Sequence, residues 1–248
     1  TWLANRNSNK GNFEAVSIIF NDKRFSEEKY IDVVADKLGI PSHKFLLDSD
    51  YFFDNIEKAT WHCESPINHP NTVAIYKLSQ KAKEYVTVLL SGEGADEVFG
   101  GYNRFYYISY PFRARKLLHE LKKSLRHPSG LAQYFDHESR AVMATAFMTP
   151  DEARRLYVDF KDKTAVDGRQ SLYRTLSGSI FDRQVKYEML SYLPDLLIRQ
   201  DKMSMAHSIE NRVPFLDNEV VGNSFSIPEK ILLRSEERRV GKECRSRW

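Results

Sequence analysis

Seven consecutive residues, Ser91-Gly92-Glu93-Gly94-Ala95-Asp96-Glu97, carry the densest chemistry in the chain, within LLSGEGADEVFGGY from Leu89 to Tyr102. Glycines let the backbone come close to a ligand, and a helix starting just after them points its first amides and its positive dipole end at an anion. Ser91 adds a hydroxyl donor. Asp96 and Glu97 supply hard oxygen ligands of the kind that hold Mg²⁺ together with substrate phosphates. The combination suggests a nucleoside triphosphate, although a plain glycine-rich strand-to-helix turn with capping acids fits the same letters. The spacing matches neither the P-loop, which needs Gly-Lys-Ser/Thr, nor the dinucleotide fingerprint. Gly100 and Gly101 read as the end of the short helix.

The elements that position this loop alternate short apolar runs with longer helical patterns, the sequence form of a parallel α/β sheet. Ala15 to Phe20 (AVSIIF) predicts a buried strand. Ser26 caps a helix with Glu27 and Glu28 in its first turn, with Tyr30, Ile31, Val34 and Leu38 on one face, and Gly39 ends it. His43 to Leu47 predicts a strand, Asp50 to Trp61 a helix, and Asn71 caps a helix running to about Tyr85. Val86 to Leu90 (VTVLL) is apolar on both faces and reads as a central strand feeding the glycine loop. From Asn103 to about Asp217 the pattern is nearly all helical, with Thr149-Pro150-Asp151-Glu152 a helix start. The chain thus predicts an α/β part over about 1–110 and a helical part over about 111–234.

With 248 residues and 42% hydrophobic content, the chain can bury a substantial core. A formal net charge of +3, from 37 basic and 34 acidic residues, gives no field for nucleic acid or an anionic membrane. No apolar run approaches the ~20 residues that span a bilayer, and the cytoplasm is the expected compartment. Cys63 and Cys244 are the two cysteines, too few for a disulfide framework. His62-Cys63-Glu64 with His69 fits no zinc spacing, and the basic run from Phe112 to His127 reads as the solvated face of an ordinary helix. Ser235 to Trp248 (SEERRVGKECRSRW) has no relation to what precedes it and is expected to be a non-native tail.

LLSGEGADEVFGGY resembles the second nucleotide loop of the asparagine synthase family, ATP pyrophosphatases that adenylate a carboxylate. A second segment, LIRQDKMSMAHSIENRVPFLD from Leu197 to Asp217, resembles the family stretch ending in Arg-Val-Pro-Phe-Leu-Asp. FSEEKYIDVVADKLG and SPINHPNTVAIYKLSQKAKEY also resemble family segments in order and spacing, so that the likeness runs from about Thr1 to Arg234. It implies a parallel sheet of the adenine nucleotide alpha hydrolase-like (ATP pyrophosphatase) type followed by a mostly helical region. It further implies an asparagine-synthase-type amidotransferase that uses ATP and Mg²⁺ to adenylate the aspartate side chain, then lets ammonia, released from glutamine, displace AMP. Related members amidate a sugar, a peptide or an antibiotic precursor instead. Carried over by position, Ser91 and Gly92 would contact phosphate, Asp96 would coordinate Mg²⁺, and Glu93 would be the catalytic carboxylate that orients the amine or takes its proton. Ile18 would contact the adenosine, or simply fill a strand core. In the second motif, Met203 and Met205 read as core, His207 as a satisfied buried histidine, and Glu210 with Arg212 as a pair pinning the helix end. Arg199, Asp201 and Lys202 read as architecture bordering the cleft.

The sequence departs from the family pattern in several places. Its first phosphate loop, Ser-Gly-Gly-x-Asp-Ser, has no counterpart; Thr1 to Ala4 resemble the helix just after it. The phosphate-binding lysine expected beyond Leu233 is not matched by Lys242. An N-terminal glutaminase domain would be the partner in the intact protein, which the resemblance allows to be a homodimer. These departures lead us to expect an incomplete synthetase domain, inactive alone. Residues 68–76, which help hold aspartate in asparagine-forming members, carry no arginine here.

Overall fold

The computed structural model describes residues 1–7, 13–109, 136–146, 155–157 and 164–233. The expected helix start at Thr149, the basic run from Phe112 to His127 and the tail from Ser235 lie wholly or mainly outside them. Contacts divide the described chain into two units, one of residues 1–91 with 196–212, the other of 92–195 with 213–233.

The first unit opens with α1 (Trp2–Asn7) and a β-α-β motif: β1 (Ala15–Ile19), α2 (Glu28–Leu38) and β2 (Ser42–Leu46). The strands pair in parallel from Ala15↔Ser42 to Ile19↔Leu46, and α2 is the crossover such pairing requires. Ala35 is the buried centre of the inner face of α2, flanked by half-buried Ile31 and Leu38. Tyr30 and Val34, expected on that face, are 48% and 44% exposed because the helix turns Ala35 rather than them toward the strands. Ser26 is not the cap. The cap position is Glu27, without a side-chain hydrogen bond, whereas Gly39 ends the helix at φ +62 with its amide on Ala35 and Asp36 carbonyls.

Asp48 then starts α3 (Ser49–Cys63) by accepting from the Tyr51 amide at 2.8 Å. In α4 (Asn71–Ala82), Asn71 is the first helical residue, not the cap; Pro70 occupies that position. Its fixed φ suits a helix start, and it has no side chain able to accept. Ala59 and Cys63 of α3, Val73 and Tyr76 of α4, and Met203 form the unit's core cluster.

β3 (Val88–Leu90) follows. It pairs in parallel with β4 (Glu210–Arg212), in the register Val88↔Glu210 to Leu90↔Arg212. Two expectations fail here. Val88 and Leu90 are 38% and 50% exposed, so β3 is not a doubly covered central strand; among the described residues its only strand neighbour is β4. Residues 210–212 form a strand inside the stretch expected to be helical, because the chain leaves its helix through Ser208 at φ +54 and straightens. The architecture is mixed α/β, with two small parallel sheets rather than one layer among the described residues.

The second unit is helical: α5 (Ala95–Phe99), α6 (Asn103–Ser109), α7 (His137–Met143), α8 (Thr164–Thr175) and α9 (Ile180–Ser191), then a 3-10 turn (Pro214–Leu216), α11 (Asn218–Ser224) and α12 (Glu229–Leu232). Between α9 and β4 runs α10 (Leu193–Met205), whose residues from Leu196 belong to the first unit. Ser179 and Asp182 form a capping box at the start of α9. One core gathers Phe105, Phe181, Val185 and Leu233; another gathers Ala141, Val142, Tyr173 and Tyr187. Among the described residues no helix is long and apolar enough to cross a membrane.

Candidate functional site

Ser91 closes the first unit and Gly92 opens the second, so the loop is best built from each side. On the first side, β3 delivers Ser91, whose amide donates to the Arg212 carbonyl at 3.0 Å. Its hydroxyl oxygen accepts from Asn211 Nδ2 at 3.2 Å. That leaves the hydroxyl proton able to point at an acceptor such as a phosphate oxygen. The sequence reading overlooked Asn211; its place in IENRVP was the only hint. Ile18 sits mid-strand in β1, opposite Phe45 and half-buried. Among the described residues it lies in a different sheet from β3.

On the second side, Gly92 is exposed and a Cβ there would meet nothing within 4 Å. Gly94 caps α5 at φ +86, and an added Cβ would lie 2.4 Å from Leu216 Cδ2, so both conformation and space demand glycine. Gly100 ends the helix at φ +66, where a Cβ would strike Phe181 at 2.6 Å. α5 is thus a single turn held between two left-handed glycines, which fixes how its side chains project.

The two neighbouring carboxylates diverge. Asp96 is exposed, and its carboxylate lies over Gly101: a Cβ on Gly101 would sit 2.0 Å from Asp96 Oδ1. The Gly101 amide donates to the Asp96 carbonyl at 2.9 Å. Gly101 therefore does more than end a helix; its bare Cα is the cradle for the Asp96 side chain. Glu97, offered by sequence as a second metal ligand, is 1% exposed and accepts from the Tyr102 hydroxyl at 2.6 Å. Burial pushes its carboxyl pKa up, against the Tyr102 hydrogen bond, with the nearby Asp96 and Glu93 charges adding to the rise. A carboxylate turned inward, 1% exposed and held by the Tyr102 hydroxyl, is not presented where a metal could meet it, so Glu97 is structural. Glu93 is half-buried.

Behind the loop, Arg104 lies over the Tyr102 ring at 3.8 Å and the Tyr192 ring at 4.8 Å. Its Nε and Nη2 donate to Glu188 at 2.7 and 2.6 Å, and Gln184 adds a 2.8 Å bond to the same carboxylate. Burial disfavours the guanidinium charge, but Glu188 outweighs it and holds the Arg104 pKa above its ordinary value. The chain Glu97–Tyr102–Arg104–Glu188 ties the loop's helix to α9.

The second motif divides. Met203 is fully buried, whereas Met205 is 55% exposed: two residues apart on a helix point to opposite sides. Lys202 donates to the Cys63 carbonyl at 2.9 Å and to Glu64 at 2.8 Å. Arg212 and Glu210 do pair, at 2.7 Å, on the exposed strand β4. His207 is not a satisfied histidine. Its Nε2 is buried without a hydrogen-bond partner, its ring meets Tyr76 at 4.4 Å, and burial, with the His62 charge, lowers its pKa.

Comparison with known proteins decides the family. The sequence model of asparagine synthase matches residues 1–246. The chain belongs to the asparagine synthase family. It is 30% identical over 241 residues to asparagine synthetase [glutamine-hydrolyzing] 1 of Bacillus subtilis, covering 87% of this chain and 36% of that protein. A putative asparagine synthetase of Mycobacterium tuberculosis is 28% identical over 228 residues, with 84% and 34% covered. A protein named amidase chry2 from Gibberella zeae is 25% identical over 232 residues, with 81% and 34% covered. The chain spans about a third of the length of these relatives.

Proposed function

We propose that this chain is the ATP-using part of an amidotransferase-type ligase that forms asparagine from aspartate. The observation that carries the reading is the Ser91–Gly101 loop of a family member, in which Asp96 is exposed over a glycine that leaves room for its carboxylate. A carboxylate oxygen of the acceptor attacks the α-phosphorus of ATP and pyrophosphate leaves; ammonia then attacks the acyl carbon and AMP leaves. Ser91 donates its hydroxyl proton to phosphate, oriented by Asn211, and Gly92 lets the backbone approach. Glu93 orients the incoming ammonia and accepts its proton as the new C–N bond forms. Ile18 packs on the adenosine. Mg²⁺ suits a hard, exposed carboxylate such as Asp96 and when bound would neutralise charge on the leaving pyrophosphate. Glu97, buried on Tyr102, is left out of that set.

A glutaminase domain supplies the ammonia in the intact protein, and the setting is the cytoplasm. A second acceptor, a sugar, peptide or antibiotic precursor, is favoured by one observation: residues 68–76 contain no arginine to hold aspartate, while amidase-named relatives also match. The test is ATP line broadening in ³¹P NMR with the 248-residue chain. Weak, Mg²⁺-dependent broadening that disappears in Asp96→Asn is the expected result. Broadening unchanged by either the metal or that substitution overturns the loop assignment. Product analysis on the full-length protein with ATP, ammonia and aspartate then decides the acceptor; no asparagine means a different one.

A further inference from the structure

One side chain joins the entrance of β3 to the entrance of β4. Lys83, which follows α4, donates from Nζ to the Ser208 carbonyl at 3.0 Å, across 125 residues of sequence. Among the described residues Lys83 makes no ion pair; the acid next to it, Glu84, is held by Lys81 at 2.9 Å. Its ammonium is therefore given over to a backbone carbonyl.

Ser208 is where α10 gives way to β4. The Ile209 amide donates to the Ser204 carbonyl at 3.1 Å and the Ser208 amide to the Met205 carbonyl at 3.0 Å. This is the closure of a Schellman turn, with Ser208 in the left-handed position that glycine ordinarily takes. At φ +54 a serine is strained there. A cation on a carbonyl at this end of a helix also meets the negative end of the dipole. The arrangement recurs within the unit. Glu64, the other non-glycine residue with positive φ among the described residues, follows Cys63, whose carbonyl accepts from Lys202 Nζ at 2.9 Å. At both turns a lysine holds a carbonyl of the strained residue or of the one before it.

What the turn feeds is short. β3 and β4 pair over three residues each, and so small a ladder does little to fix its own register. A slip of one residue would turn Asn211 to the opposite face and take its Nδ2 from Ser91 Oγ, 3.2 Å away. It would also break the bonds from the Glu210 amide to the Thr87 carbonyl, at 2.9 Å, and from the Ser91 amide to the Arg212 carbonyl, at 3.0 Å. Ile209, fully buried, anchors the depth of the chain; Lys83 holds the point from which β4 starts. We propose that Lys83 is a positioning residue for Ser91: by holding the Ser208 carbonyl it keeps the left-handed turn, locks β4 in register with β3 and so aims the loop hydroxyl. Every part lies within the first unit. That the hydroxyl then meets a phosphate rests on the ligase reading; the register lock does not.

The test reads amide hydrogen exchange and ATP broadening in ³¹P NMR on the 248-residue chain. Lys83→Met should quicken exchange at the Ser91 and Glu210 amides roughly tenfold, about the worth of one hydrogen bond to a charged group, while the amides of β1 and β2 keep their rates. Lys83→Arg, which keeps a charged donor, should stay near wild type. Adding Ser208→Gly to Lys83→Met should return both amides to near-wild-type rates, since glycine takes positive φ freely and no longer needs the lysine. A merely structural lysine would not be bypassed in this way. A loss that Ser208→Gly leaves unaltered, an equal quickening throughout the first unit, or a Lys83→Met chain exchanging as wild type overturns the lock. Should Lys83→Met fail to fold, a folded double variant with wild-type exchange supports it and failure of both overturns it. Mg²⁺-dependent ATP broadening that weakens in Lys83→Met and returns in the double variant ties the lock to the nucleotide. Exchange as expected with broadening unmoved would keep the lock and remove Ser91 from the phosphate. Broadening sensitive to Asp96→Asn, with exchange unmoved, would keep the ligase reading and remove the lock.

Discussion

Removing one partner of the Arg104–Glu188 pair should unsettle the second unit more than any surface change, and the two partners should not cost the same. Glu188 has a fully buried side chain that receives three hydrogen bonds at 2.6 to 2.8 Å, two of them from a cation. Arg104 retains 21% exposure and lies between two tyrosine rings. Breaking a buried pair costs about 3–5 kcal/mol, because a charge is left behind. Arg104→Met strands a carboxylate that water does not reach and should sit at the top of that range; Glu188→Met strands a guanidinium that can partly hydrate and keeps its tyrosines, placing it at the bottom. At about 2–4 °C per kcal/mol for a chain of this size, the Tm should fall by about 6–20 °C. The double variant should lose less than the sum of the two single losses, by a coupling of up to about 3 kcal/mol in a double-mutant cycle. Urea unfolding of all four proteins measures this. Equal single-variant losses refute the exposure argument, and additive losses refute the pair.

Gly101→Ala should leave stability within about 1 kcal/mol of wild type but force Asp96 Oδ1 at least 1 Å from its place, since a Cβ would now lie at 2.0 Å. Mg²⁺-dependent ATP broadening should drop accordingly, and unchanged broadening would show that the carboxylate position is immaterial. Gly94→Ala combines a left-handed φ of +86 with a 2.4 Å approach to Leu216; a loss of about 1–3 kcal/mol in urea unfolding is expected, and a gain would contradict the geometry. Glu97 has a folded pKa raised above its ordinary 4.5, so its contribution to stability is full below that value and is lost as pH rises through the raised one. Glu97→Gln should flatten that part of the stability–pH curve. His207 has a folded pKa lowered from 6.5, so its contribution is present above 6.5 and lost as pH falls through the lowered value; His207→Phe should remove that acid-side decline.

What the sequence made legible was chemistry carried by the local backbone. Gly39 and Gly100 take the left-handed conformations their positions at helix ends suggested, because a turn that needs positive φ leaves few other residue choices. Caps were less legible. Ser26 and Asn71 have the right oxygen atoms, but capping depends on which residue leaves helical φ/ψ, and there Glu27 and Pro70 stand. Strand β4 was invisible for a different reason: three residues cannot display a period of two, and their partner strand lies over a hundred positions earlier, as the Asn211–Ser91 bond does. Asn211 lies inside the family motif without standing out in it; only the pairing shows that it holds the hydroxyl of the loop.

Asp96 and Glu97 put the limit most sharply. As letters they are two acids in one helical turn, and both suit a divalent cation. One residue of helix is a rotation of about 100°, enough to leave the first over the bare Cα of Gly101 and send the second beneath Tyr102. Which of the two becomes buried is settled five residues later, by a phenol anchored through Arg104 to a carboxylate on α9. The division between the exposed carboxylate and the buried one is thus a property of packing. A substitution at Tyr102 or Glu188 should disturb the loop through Glu97 before it disturbs Asp96.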